Sequence, residues 1–270
     1  MYRILSMSVN IHPTAIIEEG ALLGNNVKIG AYSIVGANVE LGDDVVIHPH
    51  VVVQGHTKIG SGTQIFSFSS IGSAPQDLKY HGELSSLIIG KNNVIREHVT
   101  MNPGTESGGR ITSVGDGCLF MVGAHVAHDC VVGNNCILAN QATLAGHVVL
   151  GDHVVIGGLS AIHQFVRIGE HAMIGGMTGV DSDVIPFGRV RGERGFLAGL
   201  NLIGLERRGF TKDDVKTIQR AYNMLFSQDG NMDERIKKVS ESFASSELVV
   251  QLVQFALGKT RFPLCQPQRK

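Results

Sequence analysis

Residues 131–158 read VVGNNCILANQATLAGHVVLGDHVVIGG, and the same pattern returns every six positions. An aliphatic residue stands at Val132, Leu138, Leu144, Leu150 and Ile156, with Gly often directly after it, as at Gly133, Gly151 and Gly157. Four positions on comes a small or β-branched residue: Cys136, Ala142, Val148, Val154. Worked outward, the register runs from Ile11 by sixes to Ile71, returns at Ile89, Ile95 and Met101, slips by one residue, and continues from Val114 to Val180. Every one of these positions is apolar. A 3.6-residue helix cannot hold a six-residue register over such a length. Short strands joined by tight corners can, with Gly easing the close approaches. Three hexads then make one coil of 18 residues in a parallel β-helix, each coil rising by one inter-strand spacing, about 4.8 Å.

The composition agrees with a packed solenoid. Of 270 residues, 43% are hydrophobic, 17% charged and 34 are Gly. Gly is thus enriched over the usual ~7%, without a collagen triplet and with too many aliphatics for disorder. A net charge of −1 argues against a general nucleic-acid binder. No apolar run approaches the ~18 residues of a membrane span. Met1–Pro13 lacks the sustained apolar core of a secretory signal, so the four cysteines are expected as reduced thiols in a cytoplasm. Cys118, Cys130 and Cys136 occupy the small inward position and are expected to fill the core rather than bind metal.

Two segments break the repeat and are expected to leave the solenoid as loops, residues 77–88 and 103–113; such insertions often carry a binding surface. After Asn201 the alphabet changes. Residues 1–200 carry a net charge of −5 and residues 201–270 one of +4, which divides the chain into a β-helix domain and a C-terminal α-helical domain. Thr211 reads as an N-cap followed by Asp213 and Asp214, with apolar residues at helical spacing through Phe226. Further short helices are expected from Asn231 or Asp233 to Val239 and from Ser245 or Ser246 to Leu257, then a loose tail, Lys259–Lys270. The helices would cap the open end of the solenoid.

Counted modulo 18, His125, His128, His147 and His163 fall at 17, 2, 3 and 1, with Gly146 and Gln164 at 2. None is inward, so all four imidazoles are expected to project from one edge of the prism on successive coils. His153 and His171 share phase 9 and are expected to be solvated. The four-histidine edge admits two chemistries: a three-imidazole metal site of the carbonic anhydrase kind, or general acid–base catalysis with the other rings holding substrate. The sequence shows no carboxylate-rich surround for a metal, and amide and glycine partners accompany the stripe, which favours the second.

The loop Ser73-Ala-Pro-Gln-Asp-Leu-Lys-Tyr-His-Gly-Glu83, the run Gly123-Ala-His-Val-Ala-His-Asp129 and the segment Gly199-Leu-Asn-Leu-Ile-Gly-Leu-Glu-Arg-Arg-Gly-Phe210, set in a hexad solenoid, resemble the UDP-N-acetylglucosamine O-acyltransferase family over nearly the whole chain. The resemblance implies a left-handed parallel β-helix with a C-terminal α-helical domain. It further implies a cytoplasmic homotrimer that opens lipid A synthesis by moving a 3-hydroxyacyl group from acyl carrier protein to the 3-hydroxyl of UDP-N-acetylglucosamine. No metal and no tightly bound cofactor is implied. A related N-acyltransferase has an extra N-terminal domain; with only Met1–Asn10 ahead of the repeat, the O-acyltransferase is the expected member of the pair. By position, His128 matches the family's base and Gly146 its oxyanion donor. Gln76, Asp77, Lys79, His125, His147, His163, Gln164, Asn201, Arg207 and Arg208 match positions that hold substrate, contributed by neighbouring subunits. Asp129 adjoins the base and is a candidate to orient it, but neighbours in a strand point oppositely, which disfavours that role and leaves it open. Gly176 and Arg194 match positions along the acyl groove, where members selecting a 14-carbon chain often carry Gly and His; Arg194 departs from that pattern and leaves chain length open. Lys212, Lys216 and Arg220 are candidates for docking an acidic carrier protein. Rival readings are an acetyl-CoA-dependent hexad acetyltransferase, a zinc enzyme of the carbonic anhydrase type, and a non-catalytic scaffold.

Overall fold

The structure, a computed structural model, describes residues 3–4, 9–258 and 260–268, the first pair by backbone alone. Met1–Asn10 therefore lies mostly outside the described residues. Two-residue strands recur at each hexad and stack into three sheets of nine, eleven and nine strands. Pairing is parallel and in register: Val131 lies beside Val149 and Val149 beside Arg167 in the first sheet, Ile137 beside Val155 in the second, Thr143 beside Ala161 in the third. The chain visits the sheets in turn, making a three-sided left-handed β-helix.

The core sits inside the prism. The repeat aliphatics from Leu23 to Val180 are almost fully buried. Inward polar groups bond along the column: Asn93 N–H donates to Thr63 Oγ1, Cys118 N–H to Asn93 Oδ1 at 2.7 Å, and Cys136 N–H to Cys118 Sγ at 3.4 Å. Cys118, Cys130 and Cys136 are free, buried thiols, each within hydrogen-bond reach of a carbonyl. Burial pushes the Cys130 thiol up to about 12. They fill core, as their spacing predicts.

The two excursions are shorter than expected at their C-terminal ends. Ser86–Ile89 and Ile111–Val114 are four-residue strands paired with one another. Leu87 and Ile89 point inward while Ile88 points outward, an alternation that extends the strand two residues before the hexad position. What leaves the prism is residues 72–85 and 102–110, the second carrying a 3₁₀ turn at Glu106–Gly108.

The solenoid closes with an antiparallel hairpin, Gly188–Arg191 with Phe196–Leu200. Four helices follow: α1 (Leu202–Arg207), α2 (Lys212–Leu225), α3 (Met232–Ser242) and α4 (Glu247–Leu257). Sequence reading missed α1. Asn201 caps it, accepting from Gly204 N–H. Thr211 and Asp214 form a capping box on α2, and Asn231 with Glu234 form another on α3, contacts typically worth ~1 kcal/mol each. Leu205 and Ile218 pack against Phe187 and Leu200, so the helices join the last coil.

The described part of the tail is not loose. Asp183 N–H donates to Pro263 O at 3.0 Å, Cys265 N–H to Asp183 O at 2.7 Å and Leu197 N–H to Gln266 O at 2.9 Å. Leu264 and Cys265 are buried against the last coil. Lys259, Arg269 and Lys270 lie outside the described residues. No described helix is long and apolar enough to cross a membrane.

Candidate active site

The chemistry gathers at the corner between the third and first sheets. On three successive coils the chain leaves the third sheet at His125–Val126, Thr143–Leu144 and Ala161–Ile162, and turns through His128, His147 and Gln164. Each turn has one residue in the left-handed region: Asp129 (φ 59°), His147 (φ 62°) and Phe165 (φ 67°). Asp and His tolerate that conformation better than most residues.

At Asp129 this conformation overturns a sequence expectation. The residue is in a turn, not a strand, so its side chain does not point away from that of His128. Asp129 Oδ2 lies 2.8 Å from His128 Nδ1. The carboxylate is fully buried and held from its other sides by Thr105, whose N–H donates to Oδ1 at 2.8 Å and whose hydroxyl donates to Oδ2 at 2.6 Å. Thr112 Oγ1 accepts from Asp129 N–H at 2.7 Å. The Gly-rich excursion supplies this cover. A Cβ on Gly108 would come within 2.0 Å of Asp129 Cγ, so only a bare backbone can close so tightly over the carboxylate.

An Nδ1–H donated to Asp129 leaves the Nε2 lone pair of His128 as an acceptor. Nε2 faces Asp77 Oδ2 at 4.0 Å, brought over from the first excursion. It also faces Gly146, where an added Cβ would lie 2.6 Å away. Among the described residues no acceptor meets the Gly146 N–H, whereas the equivalent N–H of Asn134 is taken by Asp152 Oδ1 at 2.7 Å. A bare N–H beside an imidazole base is the arrangement acyl transfer uses to hold an oxyanion.

The other rings close the corner. His147 stacks on Phe165 at 4.3 Å between centroids and meets His128 edge-on at 5.1 Å. His125 Nδ1 is 2.7 Å from Thr100 Oγ1. Burial holds both flanking imidazoles below the usual range; His128 adds to this at His125, while at His147 Asp129 opposes it. They are therefore neutral hydrogen-bonding groups near pH 7. His163 is exposed, its Nδ1 3.2 Å from Gln164 O, and Gln76, Lys79 and Gln164 are exposed.

Three expectations need correction. His128 does not stand out from the edge: the excursions cover it to 7% exposure. The corner does have carboxylates close to the rings, Asp77 from the first excursion and Asp129 from the turn itself, where the sequence showed no carboxylate-rich surround. His171 is not solvated, being packed between His153, Phe187 and Phe210, and burial pushes its pKa down to about 4. One ligand atom each from His128, Asp129 and His147 lie within 4.8 Å of one another, close enough to hold a metal ion. Both Asp129 oxygens, however, already accept protein hydrogen bonds.

Not every expected site residue joins this corner. Asn201, Arg207 and Arg208 lie against the outer face of the second sheet, around a cavity of about 660 Å³ whose floor is Ile137, Val155 and Met173. In a three-sided prism that face is opposite the histidine corner. Asn201 is spent as a helix cap and donates to His171 O at 2.9 Å. Arg208 donates to His153 O at 2.9 Å, its Nη1 is buried without a described partner, and burial lowers its pKa. Gly176 and Arg194 lie at the corner between the second and third sheets, near the exposed Leu159 and Met177.

The chain matches the family model described as UDP N-acetylglucosamine O-acyltransferase, domain 2, over residues 183–265. It also matches the bacterial transferase hexapeptide model over residues 20–55 and 111–146. It is 54% identical over 246 residues to the acyl-acyl-carrier-protein–UDP-N-acetylglucosamine O-acyltransferase of Rickettsia canadensis (strain McKiel), covering 91% of this chain and 93% of that one. The Bartonella henselae protein of the same name is 44% identical, with 96% and 94% covered. Among solved structures, the UDP-N-acetylglucosamine acyltransferase from Campylobacter jejuni superposes with a TM-score of 0.91 at 43% identity, covering 96% of this chain and 100% of that one. The Francisella novicida enzyme gives 0.92 at 32%, with 96% and 95% covered.

Proposed function

The chain belongs to the UDP-N-acetylglucosamine O-acyltransferase family, and from that premise we propose that it moves a 3-hydroxyacyl group from acyl carrier protein to the 3-hydroxyl of UDP-N-acetylglucosamine, the reaction that opens lipid A synthesis. The observation that carries the chemistry is the 2.8 Å contact between His128 Nδ1 and Asp129, which leaves Nε2 free toward the opening beside Gly146. His128 Nε2 takes the proton of the sugar hydroxyl as that oxygen attacks the thioester carbonyl carbon. The Gly146 N–H holds the oxyanion. As the tetrahedral intermediate collapses, the C–S bond breaks and the carrier thiolate recovers the proton from the imidazolium, which Asp129 stabilises meanwhile. His125, His147, His163, Gln164, Gln76, Asp77 and Lys79 are placed to orient the sugar nucleotide and the acyl group.

The active unit is a homotrimer. Asn201, Arg207 and Arg208 cannot reach the histidine corner of their own chain from the opposite face of the prism. A threefold arrangement lets one subunit's arginines serve its neighbour's base, and the neighbour supplies the wall that a site on a convex edge needs to exclude water. Gly176 and Arg194 line the far end of the acyl groove in this reading. The basic helical domain docks the acidic carrier through Lys212 and Lys216, with Arg220 held over the Phe243 ring at 5.4 Å. Four described cysteines, all free, fit a reducing cytoplasm.

The test is acyl transfer from 3-hydroxyacyl carrier protein to radiolabelled UDP-N-acetylglucosamine, wild type beside His128→Ala, with and without EDTA. Expected are product from wild type, its loss in the variant, and no effect of EDTA. Loss of turnover in EDTA, restored by metal, would move the assignment to the three-ligand cluster of His128, Asp129 and His147.

A further inference from the structure

Arg261 lies in the segment that returns from α4 along the last coil. Its neighbour Thr260 donates its hydroxyl to Asp183 Oδ2, and Asp183 exchanges backbone hydrogen bonds with Pro263 and Cys265 at 3.0 and 2.7 Å. Asp183 is itself fully buried, with Arg167 Nε and Nη2 each at 2.8 Å. A buried ion pair carries a desolvation cost and is weak evidence for stability by itself. Its geometric consequence here is definite, because it fixes where residues 260–263 sit on the outer surface.

They sit on the rings of the histidine corner. The Arg261 guanidinium is 3.6 Å from the centroid of Phe165, on whose ring His147 stacks nearly parallel, at 12°. His147 in turn meets His128 edge-on. Phe262 meets His163 edge-on at 5.4 Å. Among the described residues no carboxylate pairs with Arg261, so the aromatic stack is its described partner. Cation–ring attraction and ring stacking both depend on orientation, so the guanidinium limits how Phe165, and through it His147, can tilt.

We propose that Arg261 is a positioning residue of the acyl-transfer site: clipped in place by the Thr260–Asp183 contact, it clamps Phe165 against His147 and fixes the plane of that imidazole beside the base. The proposal rests on reading the histidine corner as the site of acyl transfer. His147 then presents its ring nitrogen to the sugar nucleotide at a set angle. The groups facing it are Asp129, whose Oδ2 is 3.8 Å from Nε2, Asp77, the His128 ring, and Arg261. The two carboxylates favour its protonation; burial, His128 and Arg261 oppose it. The clamp therefore also helps to keep His147 neutral.

Arg261→Ala, Arg261→Lys and Thr260→Val, each in the full chain, test this by two readouts. The first is KM and kcat for UDP-N-acetylglucosamine at fixed carrier. The second is the proton titration of His147 followed by NMR, its resonance assigned through His147→Gln. Arg261→Ala is expected to raise KM about fivefold with kcat within about twofold of wild type, and to move the His147 midpoint upward. Arg261→Lys keeps the cation and should restore most of the midpoint. Thr260→Val frees the segment and should reproduce part of the KM effect with Arg261 still present. Wild-type KM together with an unmoved midpoint in Arg261→Ala overturns the inference, whatever the turnover. A midpoint that moves in a protein without acyl-transfer activity keeps the clamp and overturns the reaction assigned to the corner.

Discussion

Two corners of this prism carry the same ring motif and do opposite things. Where the third sheet meets the first, His147 (φ 62°) stacks on Phe165 at 4.3 Å; where the first meets the second, His153 (φ 59°) stacks on His171 at 4.7 Å, with Phe187 following at 5.8 Å. Backbone, coil spacing and ring chemistry match. What differs is the surroundings. At the first corner one excursion brings Asp77 to His128 and the other, through Thr105, covers the buried Asp129 beside it. At the second, Phe210 meets His171 edge-on and Arg208 donates to His153 O, with a carboxylate acting on His171 only from a distance through Asp152. In the proposed mechanism, a corner histidine becomes a base or a piece of packing according to what is folded over it.

Mutating a histidine at each corner separates the two roles. His128→Ala should lower kcat/KM by about 10³–10⁴-fold with the fold intact, whereas His171→Ala should leave turnover within a few-fold. Equal losses in both would dissolve the distinction. Asp129→Asn, which keeps the shape but disturbs the hydrogen bond orienting His128, should cost about 10²–10³-fold in kcat. Gly146→Ala places a methyl 2.5 Å from His128 Cε1 and should cost about 10²-fold in kcat with little change in melting temperature. The proposed homotrimer extends the comparison across subunits. In the proposed trimer, His128→Ala chains combined with Arg208→Ala chains should recover activity that neither variant has alone, since some sites then take an intact Arg208 from the first and an intact His128 from the second.

The smallest effect belongs to the packed corner and is one of pH. The folded-state pKa of His171, about 4, lies below the unfolded value near 6.5, so protonation favours unfolding. Stability from the neutral ring is complete above about pH 6.5 and is drawn down as the pH falls toward 4. Because the ring is only half-buried, the loss is about 1 kcal/mol rather than the full linkage value. Thermal melts between pH 7 and 4.5 should show this slope in wild type, and His171→Phe should flatten it.

The hexad made the prism legible because each inward position is chosen by one repeated constraint, burial. Val132 and Leu150 report the same environment one coil apart, and Cys118 and Cys136 do the same in a second inward column, without further assumption. The histidine edge was legible for the same reason, since phase modulo 18 locates a corner. Phase says nothing of what covers the corner. Asp129 was misjudged because a single left-handed residue converts neighbours that would diverge in a strand into hydrogen-bond partners. His171 was misjudged because Phe210, 39 residues away, supplies its cover. Arg261 carried no signal at all: its segment has no period, and its place depends on Thr260 meeting a carboxylate |i−j| = 77 residues distant.

The sequence slips by one residue between Met101 and Val114, yet Ile111–Val114 pairs with Ser86–Ile89 in unbroken register. The excursion absorbed the slip. A net gain of one residue within a coil would instead turn every later inward side chain to the outside. The ladder thus imposes something like a reading frame in space, under which insertions and deletions survive in descendants only as whole coils or inside segments that have left the prism. Duplicating a coil would lengthen the molecule by about 4.8 Å without rewriting its neighbours, whereas the smallest change in length, a single residue in the wrong place, would be the most disruptive.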